Sequence, residues 1–587
     1  MFLFDKHRPL VNIARRYLWS VPAVTVLGLI STGLEGIGVG LIAPLVVSLT
    51  SSESVASSGP FRVLMQFGAD LPANTRLVYI CAGIAGLVIL KNAVAFLNTL
   101  LISFVDGRAS HDVRVALAHQ LLTVEYGFFL VEPPGRIINI LANESWRASE
   151  AIRAFFQALS SAASLILFGI FLLWSEWRLG LAVGLGVLAI RHAIARITRR
   201  VNDLSSQMSA ENESLASAMM ISVLAMRPIR IFGQEAREEA RFRDASEKVR
   251  ALIFAMERKS ALIQPLSESL RTCVLVLLLA GTVRVAADVP LPVLATFLVL
   301  LQRTQPHLAT FEAARAKISQ TSGAVQEVEW LLAVTRKAAP RSLGQVKPSF
   351  DRDIRFADVS FRYHSSSEIR TIDSASFVIR AGSSTALIGP SGSGKSTIIN
   401  LLCGLLEPTS GEILVDGTSL DRLDRSEWLN LIGIAGQDTE IIEGTIAENI
   451  AYGAPHVGQA EIEEAARVAD ADAFVRSLPL GYATNVGSRG LNLSGGQRQR
   501  IGLARAIVRK PRLLILDEAT SAVDGLSERT IMDLLASSRR SCTMLVVSHR
   551  MSTLSRCDSA IVLEGGRVVR ASPMTDVMRD REAIPIP

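Results

Sequence analysis

Thr385-Ala386-Leu387-Ile388-Gly389-Pro390-Ser391-Gly392-Ser393-Gly394-Lys395-Ser396-Thr397-Ile398-Ile399-Asn400 is the stretch whose reading decides the fold. A short apolar run, suited to a buried strand, enters a glycine-rich turn that fits GxxxxGK[ST], and a helical pattern follows. The glycines let backbone N–H groups curl around phosphate oxygens, and the helix that opens behind them adds its dipole. In such a loop Lys395 reaches the β- and γ-phosphates and the Ser396 hydroxyl binds Mg²⁺. Gly389, Pro390, Ser391, Gly392, Ser393, Gly394, Lys395, Ser396 and Thr397 are therefore the candidate nucleotide-binding residues.

Downstream, Leu513-Leu514-Ile515-Leu516-Asp517-Glu518 reads as a buried strand that ends in two acids. Beside a phosphate loop, Asp517 is placed to hold the metal shell and Glu518 to orient or deprotonate an attacking water. From about Asp351 to Pro587 short β-type runs alternate with helical patterns, which predicts an α/β domain. Residues 331–350, including Arg336-Lys337-Ala338-Ala339-Pro340-Arg341, read as a linker.

Upstream the chain changes character. Of its 587 residues 49% are hydrophobic and 20% charged, too apolar for an average soluble enzyme and too charged for a wholly embedded one. Long apolar runs occupy roughly 18–49, 74–105, 152–175, 179–198, 264–287 and 289–310, each near the ~20 residues a helix needs to cross hydrocarbon. The expectation is a six-helix, all-α transmembrane domain over residues 1–330. The first run is too long for the apolar core of a signal peptide, and five more follow. Lys and Arg set the orientation: one lies in residues 51–73, four in 106–150 and thirteen in 191–262. The second and fourth connections are then inside, with both termini cytoplasmic. The net charge of +6 belongs to these flanks, and no basic–aromatic constellation points to nucleic acid. Five scattered cysteines form no CxxC pair and no zinc spacing.

Leu493-Ser494-Gly495-Gly496-Gln497-Arg498-Gln499-Arg500 lies between the phosphate loop and the two acids. With those motifs it resembles the signature of ATP-binding cassette (ABC) transporters, and the six preceding spans resemble the exporter type, in which membrane and nucleotide-binding domains are fused. The resemblance covers nearly the whole chain. It implies that Tyr363 stacks on adenine, and that Gln437 touches Mg²⁺ and senses the membrane domain. It further implies that Ser494, Gly496 and Gln497 clamp the γ-phosphate bound by a second subunit, that Asp524 forms the D-loop, and that His549 is the switch histidine. One phosphate loop and one signature per chain imply a dimer of half-transporters, identical copies or two different chains. Three positions depart from the family pattern: Ser488 replaces a glutamate before the signature, Glu440 an apolar residue, and Gly436 a proline.

Charged residues inside the spans mark a candidate substrate path: Glu35, Lys91, Glu268 with Arg271, and Arg303 with His307. A polar cavity of mixed charge suits an amphipathic or anionic solute, and snorkelling or ion pairing explains the same residues without one. The resemblance implies ATP-driven export or flipping of a lipid, lipid-linked saccharide, small peptide or drug across the cytoplasmic membrane. Some transporters of this shape instead import siderophores. A cassette ATPase acting on ribosomes or DNA would not carry six spans. Tyr126-Gly127-Phe128-Phe129 and Ile229-Arg230-Ile231-Phe232 fall where exporters carry their intracellular coupling segments.

Overall fold

The computed structural model describes residues 16–17, 19–41, 73–175, 177–266, 268–270, 272–273, 276, 291–337, 344–363, 370–437, 439–487, 490, 492–519, 533 and 542–579. The chain divides into two compact units, Met1–Val124 with Phe128–Ala339, and Glu125–Gly127 with Pro340–Pro587.

The described part of the first unit is helical: α1 (Ser20–Gly40), α2 (Ala73–Thr123), α3 (Gly127–Val131), α4 (Pro134–Asn139), α5 (Ser145–Ser175), α6 (Trp177–Leu224), α7 (Met226–Ile231), α8 (Glu235–Ala261), α9 (Leu291–Gln320) and α10 (Ser322–Lys337). Among the described residues, Ser20–Gly40, Leu77–Thr123 and Pro134–Ser175 are long and apolar enough to cross a membrane. The fourth and sixth apolar runs lie in α6 and α9, and most of the fifth lies outside the described residues. Helices α2 and α6 contain 51 and 48 residues. At about 1.5 Å per residue each exceeds twice the ~30 Å of bilayer hydrocarbon, so both continue beyond it. The short helices α3 and α7 lie where the chain turns between long ones.

The extensions have their own core, built by Val113, Leu117 and Leu121 of α2, Ile137 and Ile140, and Val328, Leu331 and Leu332 of α10. That apolar stripe carries α10 on to Lys337, so helix occupies the beginning of the stretch that reads as linker. Arg136 packs 3.5 Å from the Trp330 ring centre and reaches the carboxylates of Glu132 at 3.7 Å, Glu213 at 3.6 Å and Glu327 at 3.1 Å. A π-helical turn, Ile140–Glu144, joins α4 to α5. It brings the fully buried Glu144 within 2.8 Å of Arg147.

Among its described residues the second unit has two sheets. The antiparallel one runs β2-β1-β4-β5, with β1 Asp353–Phe361, β2 Ile372–Arg380, β4 Ser410–Val415 and β5 Thr418–Ser419. The other runs β10-β9-β3-β8-β7-β6, with β3 Ser384–Ile388, β6 Ile432–Ala435, β7 Leu513–Asp517, β8 Thr543–Val547, β9 Ser559–Glu564 and β10 Arg567–Pro573. Its strands pair in parallel except at the β9–β10 edge. Alternation assigns its faces. Ala386, Leu514, Leu516, Val546 and Val562 pack with Ile501 and Ala504, while Leu387, Ile515, Leu545 and Ile561 pack with Phe356, Phe377, Leu401 and Trp428. Both faces are covered, so these strands read as continuous apolar runs. Three helices position the site: α11 (Lys395–Leu402), α12 (Ile446–Ala451) and α13 (Gly495–Ile507).

Candidate functional site

Strands β3, β8 and β7 are neighbours, so the segments leaving their carboxyl ends converge, the usual place for a ligand in an open α/β sheet. The phosphate loop leaves β3, His549 follows β8, and Asp517 ends β7. The loop is built for close approach. A Cβ at Gly389 would stand 2.3 Å from the Leu563 carbonyl oxygen. Gly394 caps α11 with φ +104°, and a Cβ there would meet Ile372 Cδ1 at 2.5 Å. A side chain is excluded at either position.

Lys395 Nζ donates to the carbonyl oxygens of Gly389 at 2.8 Å and Pro390 at 3.0 Å. Burial holds its ammonium below the ordinary lysine value, against the opposing charges of Glu518 and Asp517. Ser393 Oγ is buried with no partner, and Ser396 is exposed on the first turn of α11. The Thr397 and Tyr363 hydroxyls lie 2.9 Å apart. The Tyr363 ring meets Phe361 edge-on at 5.0 Å and is partly open to solvent. Burial, reinforced by Glu518, raises the pKa of Asp517, and Lys395 opposes the rise. An orphaned hydroxyl, a lysine turned onto its own loop and hard oxygen donors from Ser396 and Asp517 suit a nucleotide phosphate with Mg²⁺.

Glu518 adopts φ +52°, a left-handed conformation that costs a non-glycine residue about 1–3 kcal/mol. Its N–H donates to the Val547 carbonyl at 2.9 Å, which ties the turn to β8. Its Oε1 lies 2.8 Å from His549 Nε2. The two residues assigned from separate motifs thus share one contact.

Gln437 follows β6 with an exposed side chain, and its carbonyl accepts from Gln499 Nε2 at 3.2 Å. Ser494 caps α13 through a reciprocal box. The Gln497 N–H donates to Ser494 Oγ at 3.2 Å, and the Ser494 N–H to Gln497 Oε1 at 2.8 Å. Gly496 stands in the first turn of that helix, leaving its amino end open to an anion. Asp524 and Ser488 lie outside the described residues. At Gly436 a Cβ would meet nothing within 4 Å, so packing does not demand glycine there.

Sequence reading missed the residues that pin the segment after Gln437. Arg505 Nη1 donates to the Glu440 carbonyl at 2.8 Å, its Nε to the Asn449 carbonyl at 2.8 Å and its Nη2 to Asn449 Oδ1 at 2.7 Å. Asn449 returns the bond by accepting from the Ile442 N–H at 2.9 Å. The one available signal was a polar residue on the apolar face of α12.

In the first unit, Glu35, Lys91 and the Arg303–His307 pair, marked on three separate spans, come together. Glu35 of α1 is 3.0 Å from Lys91 of α2, 3.5 Å from Arg303 and 3.8 Å from His307 of α9. Further polar contacts join α1 and α2 to α5: Thr32 Oγ1 donates to Ser164 Oγ at 2.7 Å, Asn98 Nδ2 to Ser160 Oγ at 3.0 Å, and Arg153 pairs with Asp106 at 2.6 Å. Glu268 is exposed, and Arg271 lies outside the described residues.

Residues 23–305 match the ABC transporter transmembrane region family and residues 372–521 the ABC transporter family. The ATP-dependent lipid A-core flippase of Burkholderia pseudomallei is 31% identical over 87% of this chain and 86% of its own. The heterocyst differentiation ATP-binding protein HepA of Nostoc sp. is 27% identical over 94% of this chain and 90% of its own. A solved bacterial Atm1-family ABC exporter with ATP bound shares the fold at TM-score 0.81 and 24% identity, covering 97% of this chain and 98% of its own. The chain belongs to the ABC transporter family, with the transmembrane and ATPase regions fused in one half-transporter. It is a multi-pass membrane protein that binds and hydrolyses ATP to drive transport, and as a half-transporter it works paired with a second one.

Proposed function

We propose that two identical copies, in the cytoplasmic membrane with both termini in the cytoplasm, export or flip an amphipathic solute. The Glu518–His549 contact at 2.8 Å, beside the phosphate loop, carries the hydrolytic part of this reading. The similarity to proteins named lipid A-core flippase supports an amphipathic cargo.

In this reading Tyr363 stacks on adenine, and Lys395 exchanges the carbonyls of Gly389 and Pro390 for phosphate oxygens. Ser396, Asp517 and Gln437 would hold Mg²⁺, which would neutralise phosphate charge. Glu518 orients the attacking water and takes its proton, while His549 fixes the Glu518 carboxylate. Ser494, Gly496 and Gln497 present the amino end of α13 to nucleotide on the opposing copy, and Asp524 serves as the D-loop aspartate. Closure of the paired cassettes favours an outward-open membrane unit, and hydrolysis resets it.

Glu518→Gln tests the assignment. ATP binding should persist while steady-state phosphate release falls by about 10²–10⁴-fold; turnover at the unsubstituted rate would remove Glu518 as the base.

A further inference from the structure

We infer that Arg303 is the docking point for the anionic head group of an amphiphile, and that Glu35 is a built-in competitor for it. The inference rests on the transport reading above and deepens it. Glu35, Lys91 and Arg303 lie about 18–27 Å along their helices from the helix starts at Ser20, Ala73 and Leu291, which places each well inside its apolar span. There a charge costs about 2.5–3.5 kcal/mol on insertion scales, so an unbalanced one calls for a partner.

Among the described residues, acids and bases here are unequal in number: one carboxylate, Glu35, faces a lysine, an arginine and an imidazole. The compact pair is Glu35 with Lys91 at 3.0 Å, their side chains 9% and 24% exposed. Arg303 touches the same carboxylate through one Nη at 3.5 Å and keeps 55% of its side chain exposed. Most of its planar fork of donors is thus unspent, and that fork matches a phosphate or carboxylate through two parallel bonds. The fully buried Phe168 ring lies 5.4 Å from that of His307 and backs the site with apolar packing. An incoming anion satisfies Arg303 while Lys91 keeps Glu35 neutralised. A cationic head meets surplus positive charge.

Glu35 and the ligand then compete for one guanidinium, and this separates the inference from a merely basic cavity. The test is equilibrium binding of radiolabelled dodecyl phosphate to the full chain in phosphatidylcholine nanodiscs without nucleotide, with empty nanodiscs subtracted. Dodecyltrimethylammonium and inorganic phosphate serve as parallel probes. Dodecyl phosphate should bind. Arg303→Gln should weaken it about tenfold or more, the value of one charge-assisted contact, and Arg303→Lys should restore most of the loss, which separates lost charge from misfolding. Glu35→Gln should tighten binding several-fold. Equal binding by the ammonium twin, equally effective competition by inorganic phosphate, unchanged binding in Arg303→Gln, or weaker binding in Glu35→Gln would each overturn the inference. No ATP enters the assay, so failure of vectorial transport would leave its result standing.

Discussion

Glu518 Oε1 stands 2.8 Å from His549 Nε2, joining the ends of neighbouring strands β7 and β8. His549 Nε2 gives the Glu518 carboxylate a hydrogen-bond partner that favours one orientation. His549→Ala is expected to lower kcat for ATP hydrolysis by about 10–100-fold with little change in KM, the pattern of an interaction that matters in the transition state. Phosphate release measured across ATP concentrations checks this, and an unchanged kcat would remove His549 from the chemistry.

Lys395 hydrogen-bonds its own loop at 2.8 and 3.0 Å, so it is positioned before a phosphate arrives. Lys395→Ala should reduce ATP affinity by about 10–100-fold, the value of hydrogen bonds to a charged group. Burial lowers its pKa, so the charge is lost at lower pH than in a free lysine. In a Glu518→Gln background ATP affinity should therefore begin to fall, as pH rises, below the ordinary lysine value of about 10.4, and the fall should be absent in Lys395→Arg. Titration with ATP at several pH values reads both effects.

Asp416 anchors the start of the second unit. Its carboxylate accepts from the N–H groups of Asp351 at 2.8 Å, Arg352 at 2.8 Å and Asp353 at 3.0 Å, and from Ser349 Oγ at 3.1 Å. Burial acts to raise its pKa, but those bonds outweigh burial and lower it. A lowered folded value means the stabilisation is complete above the unfolded pKa and fades as pH falls through the folded one. Asp416→Asn keeps a side chain that tolerates the local φ of +50°, but it removes the charge and replaces one of the two accepting oxygens by an NH2 that cannot accept. It should cost about 1 kcal/mol at neutral pH, a modest figure because the group is partly solvated. The gap should close below about pH 4, as followed by thermal unfolding.

Two glycines of α1 should respond in opposite ways. A Cβ at Gly36 would lie 2.3 Å from Phe171 Cε2, whereas one at Gly38 would meet nothing within 4 Å. Gly36→Ala should destabilise by about 1–3 kcal/mol through overpacking, while Gly38→Ala should be neutral or stabilising by up to about 1 kcal/mol. Melting of the detergent-solubilised protein discriminates, and equal effects would contradict the α1–α5 packing.

What the sequence made legible was local. The phosphate loop, the acids after β7 and the Ser494 cap each lie within a few consecutive residues whose spacing dictates their geometry. Residues 106–150 and 191–262 lack turn clusters and keep helical periodicity, which predicts membrane helices that continue into the cytoplasm, and the long extensions of α2 and α6 were legible in that way. The meeting of Glu35, Lys91, Arg303 and His307 was not legible. Hydropathy marks each as costly, but helix rotation and neighbour choice depend on packing across three distant segments. The π-helical turn that buries Glu144 left no periodic signal, since one wider turn shifts the pattern by less than a residue's face. The continuation of α10 to Lys337 was hidden by its basic end, although Val328, Leu331 and Leu332 mark one buried stripe.

The most direct test of ATP-driven transport uses proteoliposomes that hold a fluorescent phospholipid and have cassettes facing outward. Addition of ATP should move probe to the inner leaflet, seen as a rise in the fraction protected from an external quencher. Glu518→Gln should abolish that rise. Protection that needs no ATP, or that is equal in Glu518→Gln, would contradict the account.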